Sequence, residues 1–463
     1  MVDWRPPVPL NGHIFSYGRT GSGKSWKLMA IVQFYFEQGY KIWDIYGGKR
    51  REGSFWCFPS EEAKLWFDYK QMVGAMKENG PKEYNVNLHF PFLKTHLPEN
   101  KQIPEKLPRI KAKVFTIYWK SLTINHIAVM SGAVTPNQKA LWMKLKTELS
   151  DFTGSADLLD WFERSINTGK KSSPLYKSFI LPLCSEGLLQ GKTCKYNINL
   201  IEEAKEKGSI FVLNEDYTPA DIQMFLISYI SSTLYEYVND EYIHNKNLLF
   251  FREMNLFMKV QDESSQDSDQ RQVLRNQISN VARYGRSGLF IAGDTQSPAE
   301  VKGLVEGQDD LLCLNELPGV RDREEACDRI KSDGRMSKAQ VAYLGVLPIH
   351  EMIIVERGKS AKLIKRVQPP RTMGWKREVG SFQKTWKHKY NSYTDISQII
   401  DDINAEDYKK EIVDNYIKPI TAEDLKKDIQ FDKEMEGEDD TDDEKIRLLK
   451  NQYQELKNQE IEI

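Results

Sequence analysis

The sequence lacks the features that mark several specialised classes of protein. Its 463 residues include only five cysteines, which are scattered and form no C-x-x-C pair, so neither a disulfide framework nor a cysteine zinc site is indicated. No apolar run is long enough to span a bilayer, and the polar, proline-containing start does not resemble a signal peptide. We therefore expect a protein of the cytoplasm, of its own cell or of a host cell, with no transmembrane segment.

The chain also lacks an excess of charge of either sign. Its net charge is −2, with 29% charged and 40% hydrophobic residues, which is an ordinary composition for a folded protein. Without an overall basic field, any binding of nucleic acid has to come from local patches. The length predicts two or three structural units, or one large core with insertions.

The most informative stretch that is present matches the phosphate-binding pattern G-x-x-x-x-G-K-[ST] without a mismatch. It lies between a predicted strand, residues 13–17, and a predicted helix, residues 26–37. The glycines let backbone N–H groups turn toward phosphate oxygens, and the N-terminus of the helix favours the same anion. We expect Lys24 to reach the β- and γ-phosphates of ATP and the Ser25 hydroxyl to ligate Mg²⁺. The predicted nucleotide-binding residues are Gly18, Arg19, Thr20, Gly21, Ser22, Gly23, Lys24 and Ser25.

Apolar runs separated by helical patterns predict a mostly parallel α/β sheet, in which ligands bind at the carboxyl ends of the strands. Residues 79–108 are rich in proline and asparagine and predict irregular structure, and residues 121–190 predict a helical insertion. The strands predicted after residues 13–17 are residues 39–46, 113–119, 208–213, 247–251, 289–293, 311–314 and 351–355.

These patterns divide the chain into segments of different character. They are a lead-in, 1–12; a nucleotide-binding core, 13–50 and 208–371; an insertion, 51–207, that is largely helical in its second half; a basic and aromatic stretch followed by short helices, 372–430; an acidic linker, 431–445; and a final helix, 446–463.

A nucleotide hydrolase also needs a carboxylate that orients the attacking water. Glu253 is the candidate, because it directly follows the strand of residues 247–251 and Arg252. The usual pattern has an aspartate linked to Mg²⁺ at position 252, and a cation there opposes the metal unless it points away or pairs with an acid. Asp44, Asp294 or another residue would then substitute, or Ser25, the phosphates and water would hold the metal.

Four segments, in this order, resemble the FtsK/HerA family of ATPases. The region 51–207 matches no segment of the family. The four segments are Gly39 to Asp44; residues 208–213 with the following helix and residues 248–253; Arg283 to Pro298, which contains the sequence Thr-Gln-Ser-Pro; and Leu344 to Arg371, similar to a closing hairpin.

The resemblance implies a P-loop fold with a RecA/FtsK-like sheet and a helical C-terminal extension. It also implies an ATPase that forms a ring, usually a hexamer, and moves DNA in processes such as segregation, conjugation, end resection or genome packaging. By position, Glu253 would be the catalytic base and Gln296 a sensor of the γ-phosphate or water. Arg286, with Arg283 as a second candidate, would be a finger that reaches the site of the neighbouring subunit.

Two other functions stay open. The first is an ATPase of a conjugation, secretion or phage-assembly system that acts on protein cargo, and the second is a nucleotide-binding scaffold with little turnover, which Arg252 suggests. Residues 371–390 interleave basic and aromatic side chains that either contact DNA or form a solvated extension. The acidic linker and the final helix predict a tether for a protein partner or a shield over the basic stretch.

Overall fold

The structure is a computed structural model in which the chain divides into two compact units, residues 1–400 and 401–463. Of the second unit, residues 401–404 are described, and they are the end of a helix. The described residues are 6–46, 56, 84–96, 102–104, 110–132, 134–151, 153–164, 175–213, 218–240, 245–254, 266–284, 288–296, 298, 309–331, 336–349, 351–365, 370, 393–395 and 397–404.

Within this part of the chain the strands and helices alternate through most of the first unit. The strands are β1 His13–Tyr17, β2 Lys41–Tyr46, β3 Asn85–Pro91, β4 Gln102–Pro104, β5 Ile110–Phe115, β6 Ile117–Tyr118, β7 Leu189–Gln190, β8 Ser209–Leu213, β9 Asn247–Phe251, β10 Leu289–Thr295, β11 Asp309–Leu314, β12 Met352–Glu356, β13 Lys362–Ile364 and β14 Tyr393–Asp395. The α-helices are α1 Lys24–Glu37, α2 Ile124–Ser131, α3 Pro136–Glu148, α4 Ser155–Arg164, α5 Leu181–Ser185, α6 Leu200–Lys205, α7 Ala220–Asn239, α8 Gln266–Tyr284, α9 Val320–Lys331, α10 Lys338–Tyr343 and α11 Ser397–Asn404.

Ten of the strands form one sheet, in the order β13-β12-β11-β1-β10-β9-β2-β8-β3-β5. From β11 to β5 every strand is parallel to its neighbours, and β12 and β13 add an antiparallel hairpin at one edge. This confirms the predicted α/β fold with a mostly parallel sheet. The loop after β1 therefore has the end of a parallel strand on each side, β10 on one and β11 on the other.

The central strands are mostly apolar because both faces of a parallel sheet are covered. All residues of β9 and β10 are buried. Helix α1 packs against β1 and its neighbours, and α7 packs against α2 and α8. One buried cluster joins the sheet to these helices, so the strand ends near β1 are held in a rigid frame.

The prediction of irregular structure for residues 79–108 is wrong for Asn85–Pro91, which form β3 inside the main sheet. Its polar residues Asn87 and His89 are buried, and they contact one glutamate in α6 and one directly after it. The Asn87 amide donates to Glu206 Oε2 at 2.5 Å, and His89 Nε2 lies 3.2 Å from Glu203 Oε1. These partners, distant in sequence, stabilise polar side chains that interrupt the apolar pattern of the strand.

Other predictions shift in their bounds or cannot be compared. The predicted strand 113–119 is split into β5 and β6. Because β3 and β5 come from residues 51–207, part of the predicted insertion lies in the sheet; its separation from the core stays a prediction. The basic and aromatic stretch, the acidic linker and the final helix lie outside the described residues. None of the described helices is long and apolar enough to cross a membrane.

Candidate active site

The loop between β1 and α1 is attached to the strands on both sides. The Gly18 N–H donates to the Thr295 carbonyl of β10 at 3.3 Å, and the Arg19 N–H donates to the Glu316 carbonyl after β11 at 2.9 Å. A Cβ on Gly18 would lie 2.6 Å from Asn315 Cβ, which is too close for any other residue. The loop and the sheet therefore determine each other's position.

Two glycines give the loop a backbone shape that can direct N–H groups toward an anion. Gly21 and Gly23 have φ angles of 83° and 78°, a left-handed conformation that strains other residues. Gly23 is the residue before α1 and offers no side chain to cap it, and the first turn of α1 contains no acidic residue. The first N–H groups of a helix lack intrahelical partners, so this end of α1 favours a phosphate group.

A second lysine supports the loop from the inside. Lys27 is fully buried, and its ammonium group donates to the Ser22 carbonyl at 3.1 Å, Asn315 Oδ1 at 2.8 Å and the Glu351 carbonyl at 2.7 Å. Burial lowers the pKa of Lys27 to about 8. Asn315 also donates to the Tyr17 carbonyl at 3.0 Å, so the loop, the end of β1 and the end of β11 form one hydrogen-bonded network.

Four polar side chains meet in front of the loop. Lys24 Nζ lies 3.0 Å from Glu253 Oε1, and the Gln296 amide donates to Glu253 Oε2 at 3.0 Å. The Thr20 hydroxyl donates to Gln296 Oε1 at 2.8 Å. The structure thus brings together Lys24, Glu253 and Gln296, which are far apart in sequence, and places Glu253 between a cation of the loop and an amide of β10's end.

Asp294 connects the loop to the glutamate. It is fully buried on β10, and its Oδ2 accepts a hydrogen bond from the Ser25 hydroxyl. Its Oδ1 accepts a hydrogen bond from the Glu253 N–H at 2.6 Å. Burial raises the pKa of Asp294 above its ordinary value, although the charge of Lys24 and the hydrogen bond from Ser25 act in the opposite direction.

The backbone at Glu253 is strained. Its φ is 51°, and among the described residues it is the only one other than glycine with a positive φ. The turn is held by Asp294, whose carboxylate binds the Glu253 N–H and whose carbonyl accepts from the Met254 N–H at 2.8 Å. A strained backbone that surrounding contacts hold in place is typical of functional sites.

Arg252 directs its charge away from the loop. Its guanidinium is buried, pairs with Asp44 Oδ2 on β2 and lies 5.0 Å from the centre of the Phe250 ring. The Trp56 indole N–H donates to the same Asp44 oxygen at 2.8 Å. Since β2 and β10 lie on opposite sides of β9, the cation at position 252 is neutralised on the side of the strand that faces away from Ser25.

The oxygen donors near Ser25 fit Mg²⁺. They are the Ser25 hydroxyl and the Asp294 carboxylate that accepts its hydrogen bond, and oxygen ligands are the ones that Mg²⁺ prefers. Within the described part of the chain, no group of three or more His, Cys, Asp or Glu side chains could hold a metal ion unaided. Asp44 does not contribute, because its carboxylate is already bound to Arg252 and Trp56.

A glycine-rich loop joins β1 to α1, and a glutamate follows β9, which is separated from β1 by β10. The chain has the fold of a P-loop NTPase. The two candidates for the arginine finger do not form part of this arrangement. Arg286 lies outside the described residues, and Arg283 is exposed in the last turn of α8.

Comparisons by sequence find no relatives: no protein-family model matches the chain, and no curated protein matches it. Comparison by structure does find similar folds. VirB4 of Thermoanaerobacter pseudethanolicus is 12% identical, with 78% of this chain and 91% of that chain covered, at a TM-score of 0.45. The bacterial conjugative coupling protein TrwB is 11% identical, with 79% and 87% covered, at a TM-score of 0.44.

A third similar structure is the genome packaging NTPase B204 from Sulfolobus turreted icosahedral virus 2 in complex with sulfate. It is 10% identical, with 78% of this chain and 98% of that chain covered, at a TM-score of 0.29. These similarities concern the fold alone.

Two residues of the site were not singled out from the sequence. Lys27 follows Lys24 by three residues, so the two lysines lie on neighbouring parts of α1, yet one faces the site and the other the interior. Asn315 directly follows the buried strand β11, and a polar residue at the carboxyl end of a strand beside the loop was the available signal.

Replacement of Arg252 by methionine should destabilise the protein by about 3–5 kcal/mol, because it leaves the Asp44 carboxylate buried without its cation. The double variant Arg252→Met/Asp44→Asn should be more stable than the single variant, since no unpaired charge remains. Urea unfolding followed by circular dichroism measures both effects.

The matched control for this experiment is Lys144→Met, which breaks an ion pair with Glu148 whose side chains are 54% and 42% exposed. Its effect should stay below about 1 kcal/mol, as is usual for pairs on the surface. An Arg252→Met protein that unfolds at the same urea concentration as the wild type would contradict the buried pairing.

Proposed function

We propose that this protein is an ATP-driven motor of the FtsK/HerA type that moves DNA and hydrolyses ATP at the subunit interfaces of a ring. The observation that supports hydrolysis is the Glu253 carboxylate, which lies beside the phosphate loop between Lys24 and Gln296. A loop that only binds nucleotide has no need for a carboxylate held in this position. The ring and the DNA are supported by the resemblance in sequence.

In this proposal the phosphates of ATP lie along Gly18 to Ser25 and attract Lys24, whose ammonium group then leaves Glu253 Oε1 for phosphate oxygens. The freed carboxylate oxygen accepts a hydrogen bond from water and orients it toward the γ-phosphorus. Gln296 keeps the other oxygen of Glu253 in place and lies next to Thr20, so it can respond to the γ-phosphate. Ser25, together with phosphate oxygens, would hold Mg²⁺, which would neutralise the charge that develops on the phosphates.

Glu253→Gln should abolish most ATP turnover while ATP binding is retained. Loss of a general base typically lowers the rate by about 10²–10⁴-fold, whereas the loop and Lys24 stay intact. Phosphate release measures turnover, and a fluorescent ATP analogue measures binding. The control is Glu356→Gln at the end of β12, whose carboxylate accepts a hydrogen bond from Lys359, and this variant should turn over like the wild type. Wild-type turnover in the Glu253→Gln protein would show that the catalytic assignment is wrong.

The proposed finger, Arg286 with Arg283 as second candidate, acts on the neighbouring subunit and is testable by mixing. Lys24→Ala and Arg286→Ala proteins should each be inactive, whereas an equal mixture should regain activity at about a quarter of the interfaces, where both residues are intact. Steady-state ATP hydrolysis after subunit exchange measures the recovery. A mixture of Lys24→Ala with the double variant Lys24→Ala/Arg286→Ala is the control without intact interfaces. Equal activity in the two mixtures would exclude a finger in trans.

Stimulation by DNA distinguishes the motor from the two alternatives. If the protein grips DNA phosphates, duplex DNA should increase turnover, and the increase should fall with rising salt because phosphate contacts release counterions. Turnover that duplex DNA leaves unchanged would favour an ATPase of a conjugation, secretion or phage-assembly system that acts on protein cargo. Binding of ATP without turnover would favour a scaffold. The similar structures include both a genome packaging NTPase and a conjugative coupling protein, so they do not distinguish these functions.

The partners of the proposed motor follow from the same reasoning. Further copies of this chain would complete the ring, and DNA is the proposed cargo. The basic and aromatic residues 371–390 are the candidate contact with DNA, and the acidic linker with the final helix is the candidate tether for a protein partner.

A further inference from the structure

The carboxylate next to Ser25 comes from an unexpected strand. In the usual pattern it precedes the catalytic glutamate, but here that position is Arg252. We propose that Asp294 on β10 takes its place and supports Ser25 as a ligand of Mg²⁺, which makes Asp294 a positioning residue for the metal. This inference rests on the proposed hydrolysis of ATP and Mg²⁺ at the same site.

The register of the sheet supports this substitution. Gly293 of β10 pairs with Phe251 of β9, so Asp294 lies beside Arg252, one strand nearer to the loop. On its other side Asp294 pairs with Ser16 of β1, which leads directly into the loop. A carboxylate at this place is therefore closer to the strand that carries Ser25's loop than a residue at the end of β9 would be.

The contacts of the neighbouring carboxylates leave this role to Asp294. Asp44 is bound to Arg252 and Trp56 on the far side of β9, and Glu253 is bound to Lys24 and Gln296. Among the described side chains, the Ser25 hydroxyl donates its hydrogen bond to Asp294 Oδ2. A hydroxyl that donates to a carboxylate presents its oxygen lone pairs in a fixed direction, which is what a metal ligand requires.

The same carboxylate also sets the position of the proposed base. Asp294 Oδ1 accepts from the Glu253 N–H at 2.6 Å and so helps to hold the strained turn with φ of 51°. Its two oxygens therefore join the hydroxyl that faces the metal to the backbone of the residue that orients water. Position 294 should consequently affect metal binding and turnover together, whereas Glu253 should affect turnover alone.

The test compares nucleotide binding with and without a divalent metal. The dissociation constant of a fluorescent ADP analogue is measured in Mg²⁺ and in EDTA, because ADP avoids turnover. The constant in EDTA divided by the constant in Mg²⁺, called the metal ratio, gives the contribution of the metal. Asp294→Asn should lower this ratio by about 10–100-fold, the usual effect of losing a group that orients a metal ligand, and leave binding in EDTA unchanged. Electron paramagnetic resonance of Mn²⁺ in the presence of ADP should show the same loss of bound metal.

Control variants separate this role from a general effect on the fold. Asp310→Asn removes another buried aspartate, near the start of β11 and two strands away from β10, and should keep the wild-type ratio. Ser25→Ala should lose the ratio as Asp294→Asn does, and the double variant should lose no more than either single variant. Thermal melting checks folding, and Asp294→Ser replaces Asp294→Asn if the latter does not fold.

The outcomes separate this inference from the proposed function. A lower ratio of the two dissociation constants in a folded variant at position 294 supports the inference. A ratio equal to that of the wild type in such a variant overturns it. If the wild-type protein itself binds nucleotide without any contribution from the metal, the proposed ATPase function fails first.

Discussion

The candidate site depends on one constraint of parallel sheets, which is that neighbouring strands end at the same edge, about 5 Å apart. Across the order β11-β1-β10-β9-β2, the first four of these ends carry in turn Asn315, the phosphate loop, Asp294 and Glu253. On β2, Asp44 lies two residues before the last residue of the strand. These groups come from distant parts of the chain, and no local pattern contains them all. The sheet alone makes them neighbours, and its apolar strands hold the spacing.

Within that edge, electrostatics decides which way each side chain points. Charges removed from water need partners, because an isolated buried charge is far less stable than a paired one. Lys24 is paired with Glu253, and Arg252 is paired with Asp44 on the other side of β9. The result is two separate sets of paired charges, one facing the loop and one facing β2. An arginine next to the proposed catalytic glutamate is therefore compatible with a metal at Ser25.

The parts of the structure that depend on local chemistry could be predicted from the sequence. The phosphate loop was predictable because its backbone shape requires glycine at fixed spacing, and β9 and β10 because both are unbroken apolar runs. Strand β3 was not predictable, because its buried Asn87 is satisfied by Glu206, 119 residues away. Position 252 was recognised as unusual, but the direction of its side chain depends on Asp44 and on strand order.

The aspartate proposed to take the place of the one expected at position 252 could not be chosen from the sequence alone either. The sequence left Asp44, Asp294 or another residue as candidates, because Asp44 lies near the end of one predicted strand and Asp294 directly follows another. Only the register places Asp294 beside Ser25 and Asp44 beside Arg252. The roles that we propose for two identical side chains thus differ because β9 lies between their strands.

The buried pair of Arg252 and Asp44 has a consequence for how such a site can change during evolution. A single substitution of Arg252 by aspartate would place carboxylates at positions 44, 252 and 294 on three adjacent strand ends, and like charges in close contact oppose one another's ionisation. A lineage that exchanges one arrangement for the other must therefore alter these positions together or pass through a neutral residue. A sequence pattern that requires an acidic residue before the glutamate would overlook chains that, like this one, have an arginine at that position.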